Sequence, residues 1–88
     1  METATKTIAD VINEFNDNNF PNLRCEVQDE GAETPIYIVE NRNCLRVAEM
    51  QDGMVEIIRY KQFTPDFMVT VGNLFKEIFD IEEVENES

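Results

Sequence analysis

The sequence predicts an α+β fold in the order α-β-β-β-β-α, a four-stranded antiparallel meander with two helices packed on one face. Three observations carry this expectation. Apolar residues recur at helical spacing near each end of the chain. Between them, apolar and polar residues alternate in short stretches that suit strands. Turn chemistry separates those stretches, with Asp52-Gly53 the clearest hairpin signal.

Residues 1–6 are polar and read as a disordered N-terminus. Thr7 reads as an N-cap, with Asp10 three residues on in the reciprocal place of a capping box. Ile8, Val11, Ile12 and Phe15 then mark one face of a helix over about 7–18. Asn18 and Asn19 end it, and Pro21 forbids its continuation. Leu23, Cys25 and Val27 alternate with polar residues in a half-buried first strand. A polar loop from Asp29 to Pro35 follows. Ile36 to Val39 is apolar on both faces and suits a more central strand.

Asn41-Arg42-Asn43 reads as a tight turn, because Asn tolerates positive φ. Cys44 to Met50 and Met54 to Gln62 give the third and fourth strands. Thr64-Pro65-Asp66 starts the second helix: an N-cap hydroxyl, Pro at the first helical position and an acid in the first turn. Its stripe of Phe67, Val71, Leu74 and Ile78 is widened by Met68, Phe75 and Phe79, and reads as core. Gly72 at its edge suggests close packing. Residues 7–80 thus form one domain, and 81–88 an acidic C-terminal tail. Either parity of the sheet leaves apolar residues on the face away from the helices. Some of Tyr37, Val39, Ala48, Met50, Ile58 and Tyr60 are expected there, and an uncovered patch of that kind suggests a homodimer.

The composition narrows the function classes. The 88 residues hold no His, no Trp and one Ser, Ser88, so no Ser-His or Cys-His nucleophile exists. The glycines Gly31, Gly53 and Gly72 are isolated, which removes phosphate loops and dinucleotide fingerprints. Cys25 and Cys44 match no zinc or redox spacing and read as small buried core residues in a reducing compartment. The acids from Asp80 onward lack the pattern of a calcium loop. No cofactor and no metal is expected, and an enzyme ranks low. No basic region followed by an apolar stretch opens the chain, and no apolar run could span a membrane, so a cytoplasmic location is the expectation.

Charge is the unusual quantity. Nineteen Asp and Glu face seven Lys and Arg, a formal net charge of −12. That sign disfavours direct binding to nucleic acid or an anionic membrane. On the first helix Asp10, Glu14 and Asp17 form one stripe opposite the apolar face, their carboxylates roughly 4.5–6 Å apart along the axis. Glu26, Asp29, Glu30 and Glu33 cluster on the first strand and its loop. Glu77, Asp80, Glu82 and Glu83 add more near the C-terminus. Polar helix faces are commonly charged, but a sequence serving stability alone mixes the signs. Rows of unbalanced carboxylates suit the basic groove of a DNA-binding protein, where they gain counterion release and steering.

In these acidic stripes, clusters and tail the chain resembles the small acidic DNA-mimic inhibitors made by bacteriophages. In size, acidity and mixed α/β reading it is similar to the phage inhibitor of the bacterial histone-like protein HU. The likeness is one of charge pattern and transfers no residue role position by position. It implies an inhibitor in the host cytoplasm that competes with DNA for a basic protein, an HU-like nucleoid protein first. Two other readings stay open beside it. One is a small acidic adaptor, anti-CRISPR-like inhibitor or secretion-type chaperone that binds through an apolar helix or sheet face. The other is a solvated domain with no specific electrostatic role.

Overall fold

The computed structural model describes residues 6–59 and 64–87. Two helices and four strands follow in the order α1 (Ile8–Asn19), β1 (Leu23–Gln28), β2 (Ile36–Asn41), β3 (Arg46–Gln51), β4 (Met54–Ile57) and α2 (Pro65–Glu87). The strands form one antiparallel meander in the order β1-β2-β3-β4. The expected α+β architecture is the one observed.

Both helix starts follow from their caps. The Thr7 hydroxyl accepts from the Asp10 amide at 3.1 Å, and the Asp10 carboxylate accepts from the Thr7 amide at 3.2 Å. This reciprocal pair satisfies two donors that a helix N-terminus otherwise leaves open. Thr64 caps α2 in the simpler way, its hydroxyl accepting from the Phe67 amide at 3.1 Å. Asn16 ties α1 to the sheet through both ends of its amide: Oδ1 accepts from Cys25 N at 2.7 Å and Nδ2 donates to Cys25 O at 3.1 Å.

Strand register decides which face is covered. Cys25 stands opposite Val39, Val39 opposite Ala48, and Ala48 opposite Ile57. The next rung joins Val27, Tyr37, Met50 and Val55. Apart from the exposed Val55, these apolar rungs share one core with Val11, Ile12 and Phe15 of α1 and Val71, Leu74 and Ile78 of α2. Tyr37, Val39, Ala48 and Met50 therefore lie in the core and not on the outer face expected to carry some of them. Ile58 is exposed, and Tyr60 lies outside the described residues. The uncovered face is instead charged. One rung runs Glu26, Ile38, Glu49, Glu56, and the next pairs Arg24 with Glu40 and Glu40 with Arg46. Four of the six residues expected to form a patch for a second copy are thus not on that face.

Between Val39 and Glu40 the register slips by one residue, so Val47 is extra on β3. The slip lets Val47 and Ala48 both bury completely. It also lets the Val47 carbonyl accept from the amides of Ile58 at 2.9 Å and Arg59 at 3.3 Å.

The turns differ from expectation in one place. Asn41 folds its side chain back to accept from the amides of Asn43 and Leu45, and the positive φ of 63° falls on Cys44. Cys44 thus sits in the turn, exposed, while Cys25 is buried; both are free thiols. The expected strand start at Cys44 moves to Arg46. At the β3–β4 hairpin Asp52 and Gly53 both take positive φ, 55° and 78°, as a two-residue turn requires. A Cβ at Gly53 would stand 2.7 Å from the Phe79 ring, so the hairpin and α2 touch there. The segment read as an acidic tail is helical through Glu87, and Ile81 packs against the core.

Candidate functional site

The acids of the helical layer form the candidate surface. On α1, Asp10, Glu14 and Asp17 are exposed and point away from Val11, Ile12 and Phe15. The charge that α1 lacks comes from just before it: Lys6 meets Glu14 Oε1 at 2.7 Å and Glu77 Oε2 at 3.6 Å. One ammonium thus bridges the two helices. Its hydrogen bond to Glu14, with the negative potential of both carboxylates, raises the Lys6 pKa above its ordinary value. A shallow groove follows the helix seam between Glu14 and Asn18 on one side and Thr70, Asn73 and Glu77 on the other. Asp80 is exposed and pairs with Lys76 at 3.1 Å, one helical turn away. Glu83 is exposed.

The other acids singled out from sequence lie elsewhere. Glu26 is on the uncovered sheet face, paired with Arg24, which also reaches Glu40 at 3.9 Å. Asp29 takes φ 60° in the β1–β2 loop and its carbonyl accepts from Ala32 at 2.9 Å, so its place is a turn role. Glu30 is exposed on the same loop. Glu33, Asp52 and Glu82 stand around one polar depression, where Glu82 accepts from the Tyr37 hydroxyl at 2.9 Å. The eleven residues therefore divide among the helical layer, a loop end and the sheet, and do not form one site.

Sequence reasoning missed the carboxylate rung of Glu26, Glu49 and Glu56. Its signal was strand register, which a single sequence leaves open. Arg46 answers Glu49 at 3.2 Å, so this face holds both signs. Between residues 20 and 59 the chain has eight acids and four bases. The two helices hold ten acids and one base, Lys76.

Cys25 is buried, and desolvation pushes its thiol up to about 12, which leaves no thiolate near neutral pH. Among the described residues no three His, Cys, Asp or Glu side chains converge where a metal ion would fit. No helix among them is long and apolar enough to cross a membrane. The chain matches no family model, no curated protein and no solved structure.

Proposed function

We propose that this protein is an acidic inhibitor whose helical layer imitates the phosphate array of DNA and occupies the DNA-binding surface of a basic protein. One observation carries the reading. The helices hold ten acids against one base, while the sheet segment of the same chain interleaves the signs. Solubility alone is served by either arrangement. A one-signed layer adds self-repulsion, and a cationic partner is what relieves it.

The geometry is compatible with that partner. The α1 stripe spaces its carboxylates roughly 4.5–6 Å apart along a rigid helix. Each strand of duplex DNA carries a phosphate about every 3.4 Å of axis. The helix is the sparser array, but α2 adds Glu77 beside it. Arg and Lys side chains spaced for phosphates would find an anion within reach of each long stem. Nucleoid proteins of the HU type are the first partners to assay.

The test is a pull-down from bacterial lysate at low and high salt, followed by titration of the retained protein with duplex DNA as competitor. The expected result is a basic DNA-binding protein, bound steeply less as salt rises and displaced by DNA. Affinity that stays flat across that range would overturn the reading.

A further inference from the structure

The sheet ends on β4 among the described residues, and β4 lies between two depressions that share Val55. The first, of about 350 Å³, opens between sheet and α2 and is apolar. Val55 and Ile57 line it from the strand, and Met68, Val71, Phe75 and Phe79 from the helix. The second, of about 390 Å³, lies on the outer side of the hairpin and is edged by Glu49, Asp52 and Glu56. Large apolar side chains are exposed around this edge: Met54 by 75%, Met68 by 54% and Val55 by 52%. A Cβ on Gly72 would meet nothing within 4 Å, so the residue expected to allow close packing opens onto the groove instead.

The backbone of β4 has a defined parity. Ile58 N donates to Val47 O across the β3 side at 2.9 Å. Backbone direction alternates along an antiparallel strand, so Met54, Glu56 and Ile58 turn their polar groups toward β3. Val55 and Ile57 turn theirs toward the sheet edge. Those same two residues place their side chains in the apolar groove.

We propose that the β4 edge binds an extended segment of alternating apolar and basic residues, added as a fifth strand. Alternate side chains of such a strand point to opposite faces. One set enters the groove against Phe75 and Phe79, and the other meets Asp52 and Glu56, with Glu49 and its partner Arg46 one strand further in. The main chain bonds to Val55 and Ile57, as in other cases of strand addition. Charge selects this occupant over a second copy. A partner β4 would bring its own Glu56 to a face that already holds Glu49 and Glu56, and would join two chains of −12 each. This edge is distinct from the helical acid stripe, so the proposal stands or falls apart from the one above.

The test uses the whole chain and a short labelled peptide alternating Val and Lys, read by anisotropy and amide NMR. The expected result is saturable binding with shifts at Val55, Ile57 and the α2 residues from Met68 to Phe79. A peptide of the same composition in two blocks, and one alternating Val and Glu, bind about tenfold more weakly or worse. Gly72→Leu fills the groove, lowers affinity about tenfold and leaves the melting temperature equal or higher, because Gly is the poorer helix former. Glu49→Lys with Glu56→Lys removes the preference for the Lys peptide over the Glu peptide. Neutralising Asp10, Glu14 and Asp17 leaves binding unchanged. Equal binding of the block peptide, shifts centred on α1, wild-type affinity in Gly72→Leu, or concentration-dependent self-association through β4 would each overturn the proposal.

Discussion

The outer side of the helices and the outer side of the sheet are both acidic, but they treat their acids differently. On the sheet, Arg24 answers Glu26 and Glu40, and Arg46 answers Glu49. On the helices Asp10, Asp17 and Glu83 have no ion-pair partner among the described residues, while Lys6 pairs with Glu14 and Glu77 and Lys76 with Asp80. The difference teaches that net charge is a poor guide to a binding surface. What separates the two faces is how large a share of their carboxylates has already found a cation. A paired acid must break a contact before it can bind a partner; an unpaired one loses only its hydration.

The strongest way to break the comparison is through what lies beneath each face. Ile78 is fully buried between α2 and the sheet, and Ile38 is almost as buried on the outer sheet face, among charged neighbours. Ile78→Ala should cost about 4 kcal/mol, because the shared core cannot collapse around the gap. Ile38→Ala should cost about 2 kcal/mol, since long polar side chains can close over it. Urea unfolding monitored by circular dichroism would read both. Equal losses would mean that the outer sheet face is packed like a core and not a solvated surface.

The next effect is alkaline. The buried Cys25 thiol is held up to about 12 from 9.0 by desolvation, so the folded chain keeps its proton longer than the unfolded chain does. Its contribution is therefore intact below the unfolded pKa and is lost as pH rises toward the folded one, roughly 4 kcal/mol over that window. Cys25→Ala should be less stable at neutral pH from lost packing, yet lose less on going to alkaline pH. A parallel decline in both proteins would remove Cys25 as the cause. Cys44 provides a control: in native protein one thiol reacts quickly with a thiol reagent, and the second only after unfolding.

The surface comparison itself is sharpened by matched neutralisation. Asp10→Asn, Glu14→Gln and Asp17→Asn together should weaken binding to a basic DNA-binding protein by roughly tenfold or more, at about 0.2–1 kcal/mol for each exposed pair formed. The same change in net charge on the sheet, Glu26→Gln, Glu40→Gln and Glu49→Gln, should move affinity by less than about threefold. The Asp10→Asn carbonyl can still accept from Thr7, so the cap survives the first set. Equal losses from the two sets would show that total charge, and not the helical layer, governs association.

Much of this was legible from local chemistry. Thr7 with Asp10, Thr64 before Pro65, and Asp52-Gly53 each act within a few residues, and each does what the sequence reading expected. The illegible parts were non-local. Sheet parity depends on how Tyr37, Val39 and Met50 align with Cys25 and Val27, and a period of two offers no choice between faces when both are part apolar. The bulge at Val47 could not be anticipated, nor could the carboxylate rung that follows from the strand pairing. For the same reason the eleven acids chosen from sequence split among three places. Helical acids can be grouped from spacing alone, because three and four residues always return to one face. Strand and loop acids cannot.

The smallest expected effect tests the logic of pairing at its most exposed point. Lys6 sits in the middle of the proposed binding surface and holds Glu14 and Glu77. If these contacts mattered chiefly to the fold, Lys6→Met would lower the denaturant midpoint. Both partners are about half exposed, and ion pairs in such settings contribute little once solvent screens them. The midpoint should therefore stay where it is. Binding should respond in the opposite sense to every other surface change, tightening about threefold, because two carboxylates are released to a cationic partner without breaking a contact first. The gain should shrink as salt rises. A loss of affinity on removing this cation would mean that the partner recognises something at the helix seam other than negative charge.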